Sequence, residues 1–180
     1  NGLLEKVYHY IGQIRRYNKE VQEKNELLTA SEEELRAQAD EIQDQKEHIH
    51  FLANHDPLTL LPNRRLFHEA MADCLEDDLS GAVLMMDLDN FKGINDSLGH
   101  LFGDKVLIYV AERLSLMTGS HLFVSRFGGD EFLLLFKDVH TSWTLQKLIN
   151  ALYSQFDETV VIDETAVKIE FSLGITLFPT

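Results

Sequence analysis

At 180 residues, 44% of them apolar and 26% charged, the chain has room for about one domain with a real core plus an appendage, and it reads as neither disordered nor membrane-embedded. Sixteen Lys and Arg against thirty Asp and Glu leave a formal charge of −14. Such a surface repels nucleic-acid phosphates and excludes binding through a broad basic patch, but not one small anion held by metal ions and backbone amides.

No apolar run approaches the roughly 18 residues of a membrane span, and no signal-peptide pattern opens the chain, so no membrane contact by this segment is expected. The lone Cys74 cannot close an intrachain disulfide, which points to a reducing, cytoplasmic setting. Composition changes near residue 50. The first fifty residues hold two glycines and no proline, whereas eight glycines and all three prolines follow. Residues 1–52 are therefore read as a rod and residues 53–180 as a folded domain.

The rod carries a seven-residue repeat. One heptad position reads Val7, Ile14, Val21, Leu28, Leu35, Ile42 and Ile49, and its partner position reads Leu4, Ile11, Asn18, Asn25, Glu32, Ala39 and Lys46. Seven apolar residues in sequence favour a coiled coil, and the asparagines on the seam favour a parallel homodimer in one register. A solvated single helix with one apolar stripe is the alternative. At 1.5 Å per residue the rod is about 70 Å long. Ser31 followed by Glu32, Glu33 and Glu34 has capping-box spacing, so the helix is expected to restart there.

Beyond the rod, Asp56-Pro57 and Leu61-Pro62-Asn63 break the helix, and Arg64 to Leu75 reads as a short amphipathic one. Ala82 to Asp87 is a strand buried on both faces, and Phe102 to Met117 has helical spacing. His121 to Phe127 and Glu131 to Phe136 flank Gly128-Gly129-Asp130, a hairpin signal. Ser142 to Phe156 reads as a helix, followed by strands over Thr159–Ile162, Val167–Phe171 and Gly174–Phe178. This mixture indicates an α+β fold, with helices covering a largely antiparallel sheet.

Two acidic clusters stand out. Asp87-Leu88-Asp89 ends the first strand, with both aspartates on one side by alternation, and Asp130-Glu131 sits at the hairpin tip. If the hairpin packs beside that strand, up to four carboxylates converge, at a cost that a cation would relieve. Hard oxygen donors favour Mg²⁺ or Mn²⁺ over zinc, although a solvated acidic turn is an equally simple reading of Asp-x-Asp alone. Asn90-Phe91-Lys92 would form a first helical turn with free N–H groups for an anion, and Gly128-Gly129 would let a bulky ligand approach the backbone. Together these features describe a triphosphate cradle. The simpler alternative makes the glycines an ordinary turn and Phe91 a core residue. His48, His50 and His55 match no zinc spacing and read as junction residues, Met85-Met86 as core, Asp77-Asp78 as a turn, and Trp143 as packing near a helix start.

Asp87-Leu88-Asp89-Asn90-Phe91-Lys92, Ile94-Asn95-Asp96, Gly99-His100, Gly103-Asp104 and Arg126-Phe127-Gly128-Gly129-Asp130-Glu131-Phe132 closely resemble the GGDEF-domain family of diguanylate cyclases. His55-Asp56-Pro57-Leu58-Thr59 and Leu61-Pro62-Asn63-Arg64 resemble that family's opening, and matches extend to Ser172-Leu173-Gly174-Ile175. The resemblance implies a palm-like, ferredoxin-like fold and condensation of two GTP into cyclic di-GMP with release of pyrophosphate. It places metal at Asp87, Asp130 and the Leu88 carbonyl, and gives Glu131 the catalytic role of promoting deprotonation of the 3′-hydroxyl. Asn95 and Asp104 would read guanine, with Asn90, Phe91, Lys92, His100, Gly128 and Gly129 lining the nucleotide site. A carboxylate at Asp104 suits guanine, which offers N1–H and N2–H₂ together.

Each domain would hold one GTP, so two must face each other, and the rod would gate their encounter on behalf of an upstream sensor domain. Gly119 and Leu122 occupy the positions of the family's Arg-x-x-Asp product-inhibition motif, so that site is expected to be absent. The chain stops at Thr180, before the helical segment that usually brings basic residues to the triphosphate. The domain is accordingly read as truncated at its C-terminus, and inactivity of the chain as it stands is left open. A non-catalytic GTP-binding dimeric module, and a coiled-coil spacer bearing a degenerate domain, are the alternatives from other classes.

Overall fold

The computed structural model describes residues 2–119 and 121–179. The chain divides into two units, Asn1–His50 and Phe51–Thr180. Helix α1 runs without interruption over Gly2–Asn54. The restart expected at Ser31 does not occur. A capping box ends a helix only where the preceding residues cannot extend it, and Leu27 to Ala30 all continue the turn. The heptad stripe lies open along the first unit, from Val21 at 39% exposed to Ile49 at 65%.

In the second unit the elements follow as α2 (Arg64–Glu76), β1 (Gly81–Leu88), α3 (Phe91–Leu98), α4 (His100–Ser115), β2 (Leu122–Gly128), β3 (Glu131–Lys137), α5 (Ser142–Ser154), β4 (Val160–Ile162), β5 (Thr165–Val167) and β6 (Phe171–Phe178). Strands β2-β3-β1-β6 form one antiparallel sheet, the order of a ferredoxin-like palm, and β4-β5 form a separate ribbon. The fold is α+β, as the mixture of periodicities indicates.

Alternation along β1 sends Ala82, Leu84, Met86 and Leu88 to one face, where they join Phe132, Leu134 and Phe136 of β3 and Val106, Val110 and Leu114 of α4. Val83 and Met85 point the other way, to a smaller cluster built on Leu133, Leu135 and the α2 residues Phe67 and Cys74. The strand is thus covered on both faces, which explains its unbroken apolar run.

Sequence and structure part company at three places near the end. The segment read as a strand over Val167–Phe171 is divided: β5 ends at Val167, and β6 starts at Phe171 and passes straight through Gly174, paired with Met85. The turn of the ribbon uses Asp163 and Glu164, both at positive φ (46° and 64°), without the Asn-Gly or Asp-Gly that announces such a turn. Trp143 is 67% exposed, with the Lys147 ammonium 3.6 Å from its ring centroid, so it is a surface cation–π partner rather than a packing residue.

Leu134 is fully buried at the centre of β3, so Leu134→Ala removes packing that the sheet and α4 cannot collapse to recover. Urea denaturation should show a loss of about 2–5 kcal/mol.

Candidate functional site

The site begins with strand register. β1 and β3 pair antiparallel with Asp87 opposite Glu131, and β6 places Ser172 on the other side of Asp87. Directly opposed residues share a sheet face, so Gly128, Glu131, Asp87 and Ser172 form one row across the end of the sheet. The Leu88 amide donates to the Asp130 carbonyl at 3.3 Å, closing the tip of the hairpin against the end of β1.

Asp87 has its pKa raised by partial desolvation at the strand end, then by the charge of Asp130 and, to a smaller extent, that of Asp89. Asp89 in turn accepts a hydrogen bond from the Ser172 hydroxyl at 2.8 Å, which ties it to β6. The expected gathering of four carboxylates is not what the fold makes. Among the described residues no group of three or more His, Cys, Asp or Glu side chains is placed to hold an ion. β1 ends at Leu88, so Asp89 lies past the strand and its carboxylate is held by Ser172 of β6, while the hairpin tip brings Asp130 close to Asp87. Two repelling carboxylates, Asp87 and Asp130, beside the Leu88 carbonyl are hard oxygen donors of the kind that fits Mg²⁺ or Mn²⁺.

Asn90 adopts the left-handed conformation (φ 56°) and caps α3, which starts at Phe91. Its carbonyl accepts from the Ile94 amide at 3.2 Å, so the first turn of α3 presents amide N–H groups ahead of that bond. The Phe91 side chain is core, while Lys92 is exposed. The phenyl reading of Phe91 as packing therefore holds for its side chain, and only its backbone is available to a ligand.

Helices α3 and α4 meet at Gly99 (φ 87°), and His100 is exposed at the start of α4. Asn95 packs its carboxamide against Gly103: a Cβ built on Gly103 would collide with Asn95 Oδ1 and crowd the Phe91 ring. Asn95 is thereby brought beside Asp104, which follows Gly103 and is half-buried. Gly103 belongs to the site through this close approach, a role that spacing alone did not reveal.

The sequence motifs also concealed a clamp. Arg126 donates from Nη1 to Asp56 Oδ1 at 2.8 Å, and from Nε and Nη2 to the Gly129 carbonyl at 3.1 and 2.7 Å. Asp56 also accepts from the Thr59 amide and hydroxyl, at 2.9 and 2.7 Å. One arginine thus joins the segment after α1 to the glycine tip. His55 stacks on Phe51 with ring centroids 3.9 Å apart, as expected of a junction residue. Leu122, at an expected inhibition position, is 7% exposed and part of the core.

Burial raises the Asp56 pKa, but hydrogen bonds from Arg126 and Thr59 outweigh it and hold the carboxyl below its ordinary value. A depressed folded-state pKa contributes stability above the unfolded value of about 4 and loses it as the pH falls through the folded value. Asp56→Asn should therefore cost about 1.5–3 kcal/mol at pH 7. The gap to wild type should narrow progressively when denaturation is repeated below about pH 4.

Comparison with known proteins agrees with this fold. The family model "Diguanylate cyclase, GGDEF domain" matches residues 53–180. The bifunctional diguanylate cyclase/cyclic di-GMP phosphodiesterase MucR of Pseudomonas aeruginosa is 40% identical over 132 residues, 71% of this chain, and the chain spans 19% of the length of MucR. Among solved structures, the GGDEF domain of TpbB (YfiN) from P. aeruginosa superposes with a TM-score of 0.63 at 34% identity, covering 69% of this chain and 76% of that one. The coiled coil and GGDEF domain of DgcB from Caulobacter crescentus, solved with c-di-GMP, shares the fold at a TM-score of 0.75 and 24% identity, covering 84% and 83%. The family model covers more than half of the chain, and the chain belongs to the GGDEF-domain family of diguanylate cyclases.

Proposed function

We propose that this chain supplies one half-site of a diguanylate cyclase, holding one GTP and condensing it with the GTP of a facing copy into cyclic di-GMP. The observation that carries the reading is the register that sets Asp87 against Glu131, with Asp130 close enough to perturb Asp87 and the amide turn of α3 alongside. In each of two steps the 3′-oxygen of one nucleotide bonds to the α-phosphorus of the other, and the bond from that phosphorus to the pyrophosphate oxygen breaks. Glu131 accepts the hydroxyl proton as the bond forms. The Phe91–Gly93 amides and Lys92 offset charge on the triphosphate, and the bare Gly128-Gly129 backbone admits it. Asn95 and Asp104 read the guanine edge, Asp104 accepting N1–H and N2–H₂, with His100 at the rim. A divalent cation bound by Asp87, Asp130 and the Leu88 carbonyl would neutralise phosphate charge and acidify the attacking hydroxyl.

Supplying the chain with GTP and Mg²⁺ should yield cyclic di-GMP by chromatography, and Asp87→Asn should reduce it by at least about 100-fold. GTP binding without product in the wild type would instead describe a non-catalytic signalling module.

The open stripe of α1 supports a homodimer. Burying each of its seven residues is worth about 1.5–3 kcal/mol, and a second copy offers the matching surface. The polar partner positions Asn18, Asn25, Glu32 and Lys46 keep this pairing weak enough for an upstream sensor to change it. Replacing all four with Ile should raise dimer affinity by more than 100-fold in sedimentation experiments and lock synthesis in one state. Unaltered association would count against a seam at these positions.

A further inference from the structure

The second unit is acidic, yet three of its four arginines converge on one cleft of about 550 Å³, together with His68, Phe127 and Gly128. Two of those arginines are already engaged. Arg126 holds Asp56 and the Gly129 carbonyl, and Arg65 donates from Nε to Asn54 Oδ1 at 3.0 Å and lies 3.7 Å from Glu69. Arg64 is different. Its Nε donates to His68 Nε2 at 3.4 Å and its guanidinium lies 4.6 Å from the centroid of the Phe127 ring, but among the described residues it has no carboxylate partner. Both of its Nη groups are left for a ligand. A guanidinium steadied on an aromatic face and relieved of protein acceptors suits a phosphate, which takes two parallel N–H donors.

The position of the cleft indicates which phosphate. Its glycine wall, Gly128, stands opposite Glu131, and Glu131 stands opposite Asp87. At about 4.8 Å between neighbouring strands, the cleft is roughly 10 Å from Asp87 along the row that ends the sheet. Asp87 and Glu131 lie on the α2 side of the sheet, as do Met85 and Leu133, so cleft and carboxylates open toward the same side. On the cyclase reading the chain's own triphosphate is served by the α3 amides and Lys92, which follow the Asp87 end of β1 in the chain. The other end of the row lies at β2, the edge strand of the sheet, two strands away from Asp87 and therefore at the margin where a second copy's nucleotide could enter. Resting on the cyclase reading, we propose that Arg64, steadied by His68 and Phe127, binds a phosphate of the nucleotide carried by the facing copy, and so aligns the second substrate.

The test separates the two nucleotides. Calorimetry with 3′-deoxy-GTP, which cannot condense, reports the chain's own site, and the initial rate of cyclic di-GMP formation from GTP reports the pair. Arg64→Ala should leave 3′-deoxy-GTP affinity within about twofold and cut the rate on the order of 100-fold. Arg64→Lys, which keeps the charge but loses the paired donors, should recover only a minor part of the rate and Arg64→Gln less still, a graded dependence that a structural role at this exposed position would not show. Product formed by Arg64→Ala at the wild-type rate overturns this inference alone. Lost 3′-deoxy-GTP binding in Arg64→Ala also overturns it, by assigning the arginine to its own nucleotide. A wild-type chain that makes no product overturns it together with the cyclase reading.

Discussion

The antiparallel pairing of β1 with β3 is the constraint on which the site depends. It brings two stretches more than forty residues apart in sequence into a fixed register, and it does so through core residues rather than through the carboxylates themselves. Leu84, Met86, Phe132 and Leu134 are fully buried, and a slip of one residue would send its strand's pair from the main core to the smaller α2 face, where these volumes do not fit. Asp87 therefore stays close to Asp130 despite their repulsion, and opposite Glu131, because the energy that holds the strands is hydrophobic and is stored away from the charges. Separating the source of stability from the site leaves the charges free to be satisfied by a ligand.

Around that register the fold adds precise local devices. The Arg126 clamp fixes the hairpin tip to the turn after α1, so the segment that joins rod and domain is bonded to the glycine backbone of the site. Gly103 acts by lacking a side chain, which lets the Asn95 carboxamide lie against α4 beside Asp104. These are backbone and second-partner effects. They explain why short motif residues that seem remote from the chemistry recur beside it in this chain.

The rod follows a different logic. Its apolar stripe is continuous and exposed, but the adjoining position turns polar after Ile11, so the proposed pairing would bury one apolar row beside a polar one. The palm, by contrast, holds its geometry through its own buried core.

Helix positions, the doubly buried strand, the hairpin and the α+β class were all legible in the linear order, because they depend on local periodicity and on turn chemistry carried by the residues themselves. The GGDEF motifs were equally legible, since each is a short run of neighbouring residues. Other features depended on who meets whom in space. The β3 tip brought Asp130 to Asp87, while β1 ended at Leu88 and Ser172 took Asp89. Ser31 failed to interrupt α1 because its neighbours continue the turn, and the ribbon turned at Asp163-Glu164 without glycine because its flanking strands pair. The Arg126 clamp, the Asn95–Gly103 approach and the cationic cleft at Arg64 join residues up to seventy positions apart. One-dimensional patterns specify which face a residue takes. Only the tertiary structure decides its partner, because hydrogen bonds and charge effects act over a few ångströms of space and are indifferent to distance along the chain.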